Sequence, residues 1–303
     1  MKKKILDHYL KFGLFTNPGC YEDFFEALPD SAKEIGKLIS HQVIHRLTLQ
    51  EGNTGSNKDG RYGDMKRFPW YRLVCDDDVL PNTVSMVAEL LRLDKRGFVM
   101  DRKVENKIVV TCRHVAILMA SILKSKGISC RVRSGFAPYF LEKSVDHWIN
   151  EYWNKEKKKW IVFDASAIFD ELCFDPYDIP KNKFDWAANV WLGIREGKLN
   201  VDNFVNAGGF RGITPVVWEL FYDFHSLMNN EILYKQAPYY LYDEGDFKKL
   251  TKKDFVEIDD LAELLLEPDK NFEALVDTWN KKKKFRILNS PLIDDEDHCS
   301  KLG

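Results

Sequence analysis

TCRHVAILMASIL, residues 111–123, sets a lone cysteine at the front of an otherwise apolar run. Whether Cys112 is a packed thiol or a nucleophile decides how the rest of the chain is read. The apolar window Val115–Leu123 falls well short of the ~20 residues that a membrane-spanning helix takes. It therefore predicts a buried helix, closed at KSKGIS by Gly127, which fits the position just past a helix C-terminus. A thiol attacks a carbonyl usefully only as the thiolate, and unpaired backbone N–H groups at a helix N-terminus favour that anion. Cys112 stands where that effect is felt.

Beyond the helix the pattern changes. ISCRVRSGF (128–136), VDHWINEYW (145–153) and KKWIVFDAS (158–166) are short, rich in aromatic and β-branched residues, and separated by turn signals such as NKEKK. They predict an antiparallel sheet. A nucleophilic cysteine needs a base within hydrogen-bond reach and a third group to fix the base's tautomer. His147 and Asp164 lie on the two strands of the expected hairpin, and a pairing that sets 152 opposite 159 also sets 147 opposite 164. Taken singly, a helix-start Cys is most often a small hydrophobe, a strand His a satisfied polar group and a strand-end Asp a cap. Together the three obey one geometrical rule that chance would seldom satisfy.

Those residues resemble the transglutaminase-like superfamily of papain-type cysteine enzymes over roughly residues 105–170. VVTCRHVAILMASILKSKGISCRVRSGF is similar to the nucleophile helix and the strand after it, DHWINEYW to the histidine strand, and KWIVFDAS to the aspartate strand. The resemblance implies Cys112 as nucleophile, His147 as general base and then acid, and Asp164 as the orienting carboxylate. It also implies an α+β fold with a papain/transglutaminase-like core, the nucleophile helix packed on an antiparallel sheet, and acyl transfer through a thioester. The chain departs from the family pattern at Val110, where many members carry Gly, at Arg113–His114 after the nucleophile, and at Ala165, where a proline is common. An oxyanion hole would use the Cys112 backbone N–H and a second donor. Some members supply that donor from upstream of the cysteine, where Trp70 and Tyr71 stand in FPWYRL.

Around this core, LPDSAKEIGKLISHQVIHRLTLQ predicts a helix over about 31–49, capped by Asp30 or Ser31, and NTVSMVAELLRL (82–93) a second. EGNTGSNKDGRYGD (51–64) reads as a surface loop with no phosphate-cradling motif. From Asp178 onward helical periodicity returns. FDWAANVWLGIREG ends at Gly197, TPVVWELFYDFHSLMN opens on a Thr214 cap with Pro215 at the first helical position, PDKNFEALVDTW is a further helix, and DDEDHCSKLG a frayed acidic tail. The expected organisation is a catalytic core with N-terminal helices over 1–175 and a helix-rich C-terminal extension, packed on that core, over 176–303.

Rival sites are weaker. HQVIH (41–45) sets two histidines at the i, i+4 spacing of a zinc-binding helix face, but Gln42 replaces the glutamate of HExxH proteases and no third ligand is nominated. Trp148 and Tyr139 belong to an aromatic set near the proposed site that could line a substrate groove, and His225 lies on a helix bearing polar Asn229, Asn230 and Glu231. Each also has an ordinary reading as core or amphipathic surface. No cofactor and no metal is expected: no EF-hand-like loop appears, and the calcium-dependent animal members need further domains.

Composition sets outer bounds. With 303 residues, 45% of them hydrophobic, the chain can bury a sizeable core. Lys+Arg 45 against Asp+Glu 47 leaves a net charge of -2, so no global field draws it to nucleic acid or an anionic membrane. MKKK is followed by LDHYLKFG rather than by an unbroken apolar segment, so no secretion signal is read. Six cysteines without a CxxC pair predict free thiols in a reducing compartment, the cytoplasm. The expected function is hydrolysis of a peptide, protein or small amide. Transfer of the acyl group to an amine, or a transglutaminase-like scaffold that binds without turnover, are the alternatives.

Overall fold

The computed structural model describes residues 1–47, 62, 65–72, 79–167, 171–234 and 236–289, the side chain of Trp70 excepted. The loop expected over 51–64 lies outside the described residues but for Tyr62, and so does the acidic tail. Helices and a largely antiparallel sheet make the fold α+β. The chain forms two compact units, interleaved in sequence: Met1–Arg133, His147–Phe184 and Asn229–Glu231 in unit 1, and Ser134–Asp146, Asp185–Met228 and Ile232–Gly303 in unit 2.

Unit 1 begins with helices α1 (Lys3–Leu10), α2 (Glu22–Glu26) and α3 (Ala32–Ser40), followed by strand β1 (Val43–His45). The helix expected over 31–49 thus ends at Ser40. Beyond it Val43 and Ile44, both β-branched, pair instead with β2 (Ile108–Val110), in parallel, with Val43 beside Ile108 and His45 beside Val110. Ile44 anchors this pair in a buried cluster with Tyr62, Met65, Phe68, Val104 and Val109. Between the two strands lies α4 (Thr83–Leu93), where Asn82 caps the helix by accepting from the Ser85 N–H at 3.0 Å, as its sequence predicts.

β2 runs directly into α5 (Cys112–Ser125), the central helix of the unit, whose residues Cys112 through Lys124 are all buried. A helix buried around its whole circumference must be covered on every side, and α2, α3 and α4 all pack against it. It ends as expected, Gly127 adopting φ +71 while the Ile128 N–H donates to the Leu123 carbonyl at 2.9 Å.

The first half of β3 (Cys130–Ala137) and the second half of β4 (Ser144–Asn154) belong to this unit together with β5 (Lys159–Phe163). β4 and β5 are antiparallel with Asn150 opposite Phe163 and Asn154 opposite Lys159. The register is two residues away from the symmetric pairing of 147 with 164, because the turn takes residues 155–158, with Lys158 at φ 48. An even shift leaves every side chain on its original face. Glu151 on β4 is buried with Arg131 and Arg133 of β3, its Oε2 accepting at 2.6 and 2.8 Å, and the Arg131 guanidinium lies over the Trp160 ring at 4.3 Å.

Unit 2 contains the remainder of β3 and β4. Its β6 (Asp185–Trp186) is antiparallel to the end of β3, and its β7 (Phe204–Val205) is parallel to the start of β4. The helices are α6 (Ala187–Arg195), α7 (Ile213–Leu227), α8 (Glu244–Lys249), α9 (Lys252–Leu266) and α10 (Phe272–Lys281). α7 opens at Ile213, two residues earlier than the Thr214 cap suggests, with Gly212 at φ 85 as its N-cap. α6 packs on both α7 and α9, and its Trp191 indole donates to Asp259 of α9 at 2.8 Å. Among the described residues no helix is long and apolar enough to cross a membrane.

Candidate active site

Cys112 is the first residue of α5, 4% exposed, at the point where the β2 strand turns into the helix. Thr111 is the N-cap, and its hydroxyl lies 2.8 Å from His114 Nδ1. Such a cap fixes the first turn and leaves the Cys112 thiol at the positive end of the helix dipole. His147, on β4 and 5% exposed, and Asp164, directly after the last residue of β5 and 1% exposed, meet at 2.8 Å between His147 Nε2 and Asp164 Oδ2. The register shift therefore does not separate them. The Cys112 thiol hydrogen-bonds to the His147 ring. With Nε2 occupied by the carboxylate, Nδ1 is the ring nitrogen left for sulfur.

Asp164 is held from several sides. Its backbone N–H donates to the Pro176 carbonyl at 2.8 Å, and its Oδ1 accepts from the Ser166 N–H at 2.8 Å. Ser40 at the end of α3 donates to the Ala165 carbonyl at 2.7 Å, pinning the residue after the carboxylate. Tyr177 stacks near Phe163 and presses against α3, where a Cβ on Gly36 would lie 2.7 Å from its hydroxyl. Only glycine permits that approach.

The electrostatics follow from the same contacts. Burial opposes ionisation of Cys112, but the charge of His147, with hydrogen bonds from His147 and from His45, brings the thiol down to about 5. Burial likewise opposes a charged His147, yet the Asp164 carboxylate and the Cys112 thiolate raise it well above its ordinary value. The arrangement favours a thiolate–imidazolium pair. Cys130, a buried thiol with no imidazole beside it in that role, is pushed by burial up to about 12. Among the described residues no group of three His, Cys, Asp or Glu side chains is arranged to hold a metal ion.

The other nominated residues fall elsewhere. Tyr71 is exposed in a short turn with Trp70, whose side chain is not described. Trp148 is buried in the core at 1% exposure. Tyr139 belongs to unit 2, in the β3–β4 connection, against Phe140 at 4.6 Å. His225 is also in unit 2, fully buried, with Nε2 2.8 Å from the Phe285 carbonyl and its ring edge-on to Trp279; burial lowers it to about 4, so it is neutral. Its surroundings are those of a satisfied core histidine.

Two residues take roles the sequence does not announce. His45 reaches the Cys112 thiol from the end of β1. The HQVIH spacing groups it with His41 on an expected helix, but α3 ends at Ser40 and only His45 enters the strand. Arg113, directly after Cys112, is fully buried, donating to the Pro81 carbonyl at 3.1 Å and from Nε to the Glu231 carbonyl at 3.0 Å, with its guanidinium 4.8 Å from the Phe15 ring. It anchors the helix start to residues 229–231.

Residues 103–165 match the transglutaminase-like superfamily. The matched segment contains Cys112, His147 and Asp164, and the match points to cysteine-based acyl transfer in broad terms. No curated protein and no solved structure matches the chain.

Proposed function

We propose, from a transglutaminase-like core at residues 103–165, that the protein hydrolyses a peptide or other amide through an acyl-cysteine intermediate. The observation that carries this reading is the buried chain of sulfur, imidazole and carboxylate, closed by the 2.8 Å contact between His147 and Asp164. Cys112 Sγ attacks the carbonyl carbon, and the pair of electrons displaced from the C=O bond becomes an oxyanion. When that collapses, the C–N bond breaks and the departing amine takes a proton from His147 Nδ1, leaving a thioester. His147 then removes a proton from water, the hydroxide adds to the thioester, and collapse releases the carboxylic acid and restores the thiolate. Asp164 holds the ring orientation and balances its positive charge throughout.

Water is the acceptor available to every enzyme, whereas transfer to an amine requires that water be excluded. Papain-like details of the core, and a reducing compartment such as the cytoplasm, belong to the same proposal; the free thiols Cys20, Cys112, Cys130 and Cys173 support the latter. The test is intact-mass trapping of a thioester on Cys112 with a panel of peptide amides, run with and without a dansylated primary amine. Acid release that Cys112→Ala abolishes supports hydrolysis. Incorporation of the dansyl amine in preference to acid would replace it with acyl transfer. No adduct on Cys112 with any member of the panel would favour a binding scaffold.

A further inference from the structure

The acyl-transfer reading leaves one chemical need open: a second donor, besides the Cys112 backbone N–H, for the oxyanion. We propose that the Nε2–H of His45 is that donor. The inference rests on the proposed acyl transfer at Cys112 and names a further catalytic residue for it.

The fold brings His45 there by a route independent of the triad. β1 and β2 are parallel with His45 beside Val110, so the two strands end level and the next residues of β2 lead into Cys112. The strand is fixed beneath it: Ile44 is fully buried, and the His45 backbone N–H donates to the Tyr62 hydroxyl at 3.3 Å. The ring is oriented as well. The Leu47 N–H donates to His45 Nδ1 at 3.4 Å, which makes Nδ1 an acceptor and leaves Nε2 as the ring nitrogen that carries the proton. That ring hydrogen-bonds to the Cys112 thiol.

A second imidazole at the sulfur is not needed as a base, because His147 is already paired with Asp164 on its far nitrogen. A donor serves a different purpose. During acylation the negative charge leaves sulfur and appears on an oxygen two bonds away. A donor resting on the thiolate before attack is therefore placed to follow the charge onto that oxygen, at no cost in reorganisation. The sequence places it 67 positions before the nucleophile, on an element separate from the FPWYRL turn.

The experiment uses two probes that differ in one respect: iodoacetamide alkylates sulfur without forming an oxyanion, whereas p-nitrophenyl acetate acylates it through one. Both are measured on the full-length chain, with His45→Ala and His45→Gln. The expected result is acylation slower by about 10²–10³ in His45→Ala, with alkylation near pH 6 reduced by no more than about fivefold because the His147 pair persists. His45→Gln, which keeps an N–H donor, should recover part of the acylation. If circular dichroism shows His45→Ala unfolded, His45→Gln alone is read: partial loss of acylation with alkylation intact supports the role. Acylation unchanged in the folded variants, or alkylation falling in step with acylation, overturns it. A failure of the acyl-transfer reading looks different, since the unaltered protein would then show neither selective alkylation nor acylation of Cys112.

Discussion

At the scale of the residue, one ionisation state governs reactivity. Because His147 and His45 bring the Cys112 thiol down to about 5, the thiolate is present from mildly acidic pH upward. An ordinary thiol ionises near 8.5. Alkylation of Cys112 by iodoacetamide should rise through about pH 5 and stay level to neutrality, because the thiolate, once formed, persists as pH rises. Peptide mapping should find Cys112 modified at pH 6 ahead of Cys20 and Cys173, with Cys130, buried and pushed to about 12, unmodified. His147→Ala should slow the pH 6 reaction at least tenfold, since the opposite charge that favours the thiolate is removed. A rate unaffected by that change would mean that the imidazole does not ionise the thiol.

At the scale of the element, the β3–β4 pair carries a buried charge cluster whose cost depends on pH. Burial opposes the Glu151 carboxylate, but Arg131 and Arg133 outweigh it and hold it at about 2. Against an unfolded value near 4.3, it contributes stability in full above pH ~4.3, and that contribution is lost as pH falls through about 2. Glu151→Gln leaves two guanidinium groups buried without their anion and should destabilise the protein by about 3–5 kcal/mol at pH 7. Thermal melts from pH 5 to 2 should be steep for the unaltered chain and flatter for the variant; equal slopes would dissociate the cluster from acid stability. Elements differ in how far the sequence announces them. α4, α5 and the three strands β3, β4 and β5 are legible because each carries its own cap, glycine stop or alternation, as at Asn82 and Gly127. Cys112, His147 and Asp164 are legible because their elements are. β1 and β2 are not, since three residues carry no periodicity and the pairing of His45 with Val110 spans distant sequence. His45 is hidden with them, its strand reading as more of α3. The hairpin register is displaced because nothing in KEKK declares how many residues the turn consumes, and α9 escapes notice although Thr251 accepts from the Asp254 N–H as its cap.

At the scale of the whole molecule, unit 1 is assembled from three stretches of chain. A fragment stopped at residue 175 would lack the Pro176 carbonyl that accepts the Asp164 N–H, the Tyr177 ring beside Phe163, and the Glu231 carbonyl that takes the Arg113 guanidinium. The last loss leaves a buried cation short of an acceptor, which is among the costliest single defects. The fragment should show poorly dispersed amide resonances and label its thiols without preference for Cys112; a folded fragment with a selectively reactive Cys112 would overturn this. The same clasp orders events in time. Arg113 and Glu231 are 118 residues apart, and at ~5–20 residues per second a ribosome needs on the order of 10 s to add that length. Until residue 231 emerges, the helix that opens at Cys112 in a nascent chain lacks the Glu231 carbonyl that takes the Arg113 guanidinium, so this end of the unit matures only after those further residues have been made.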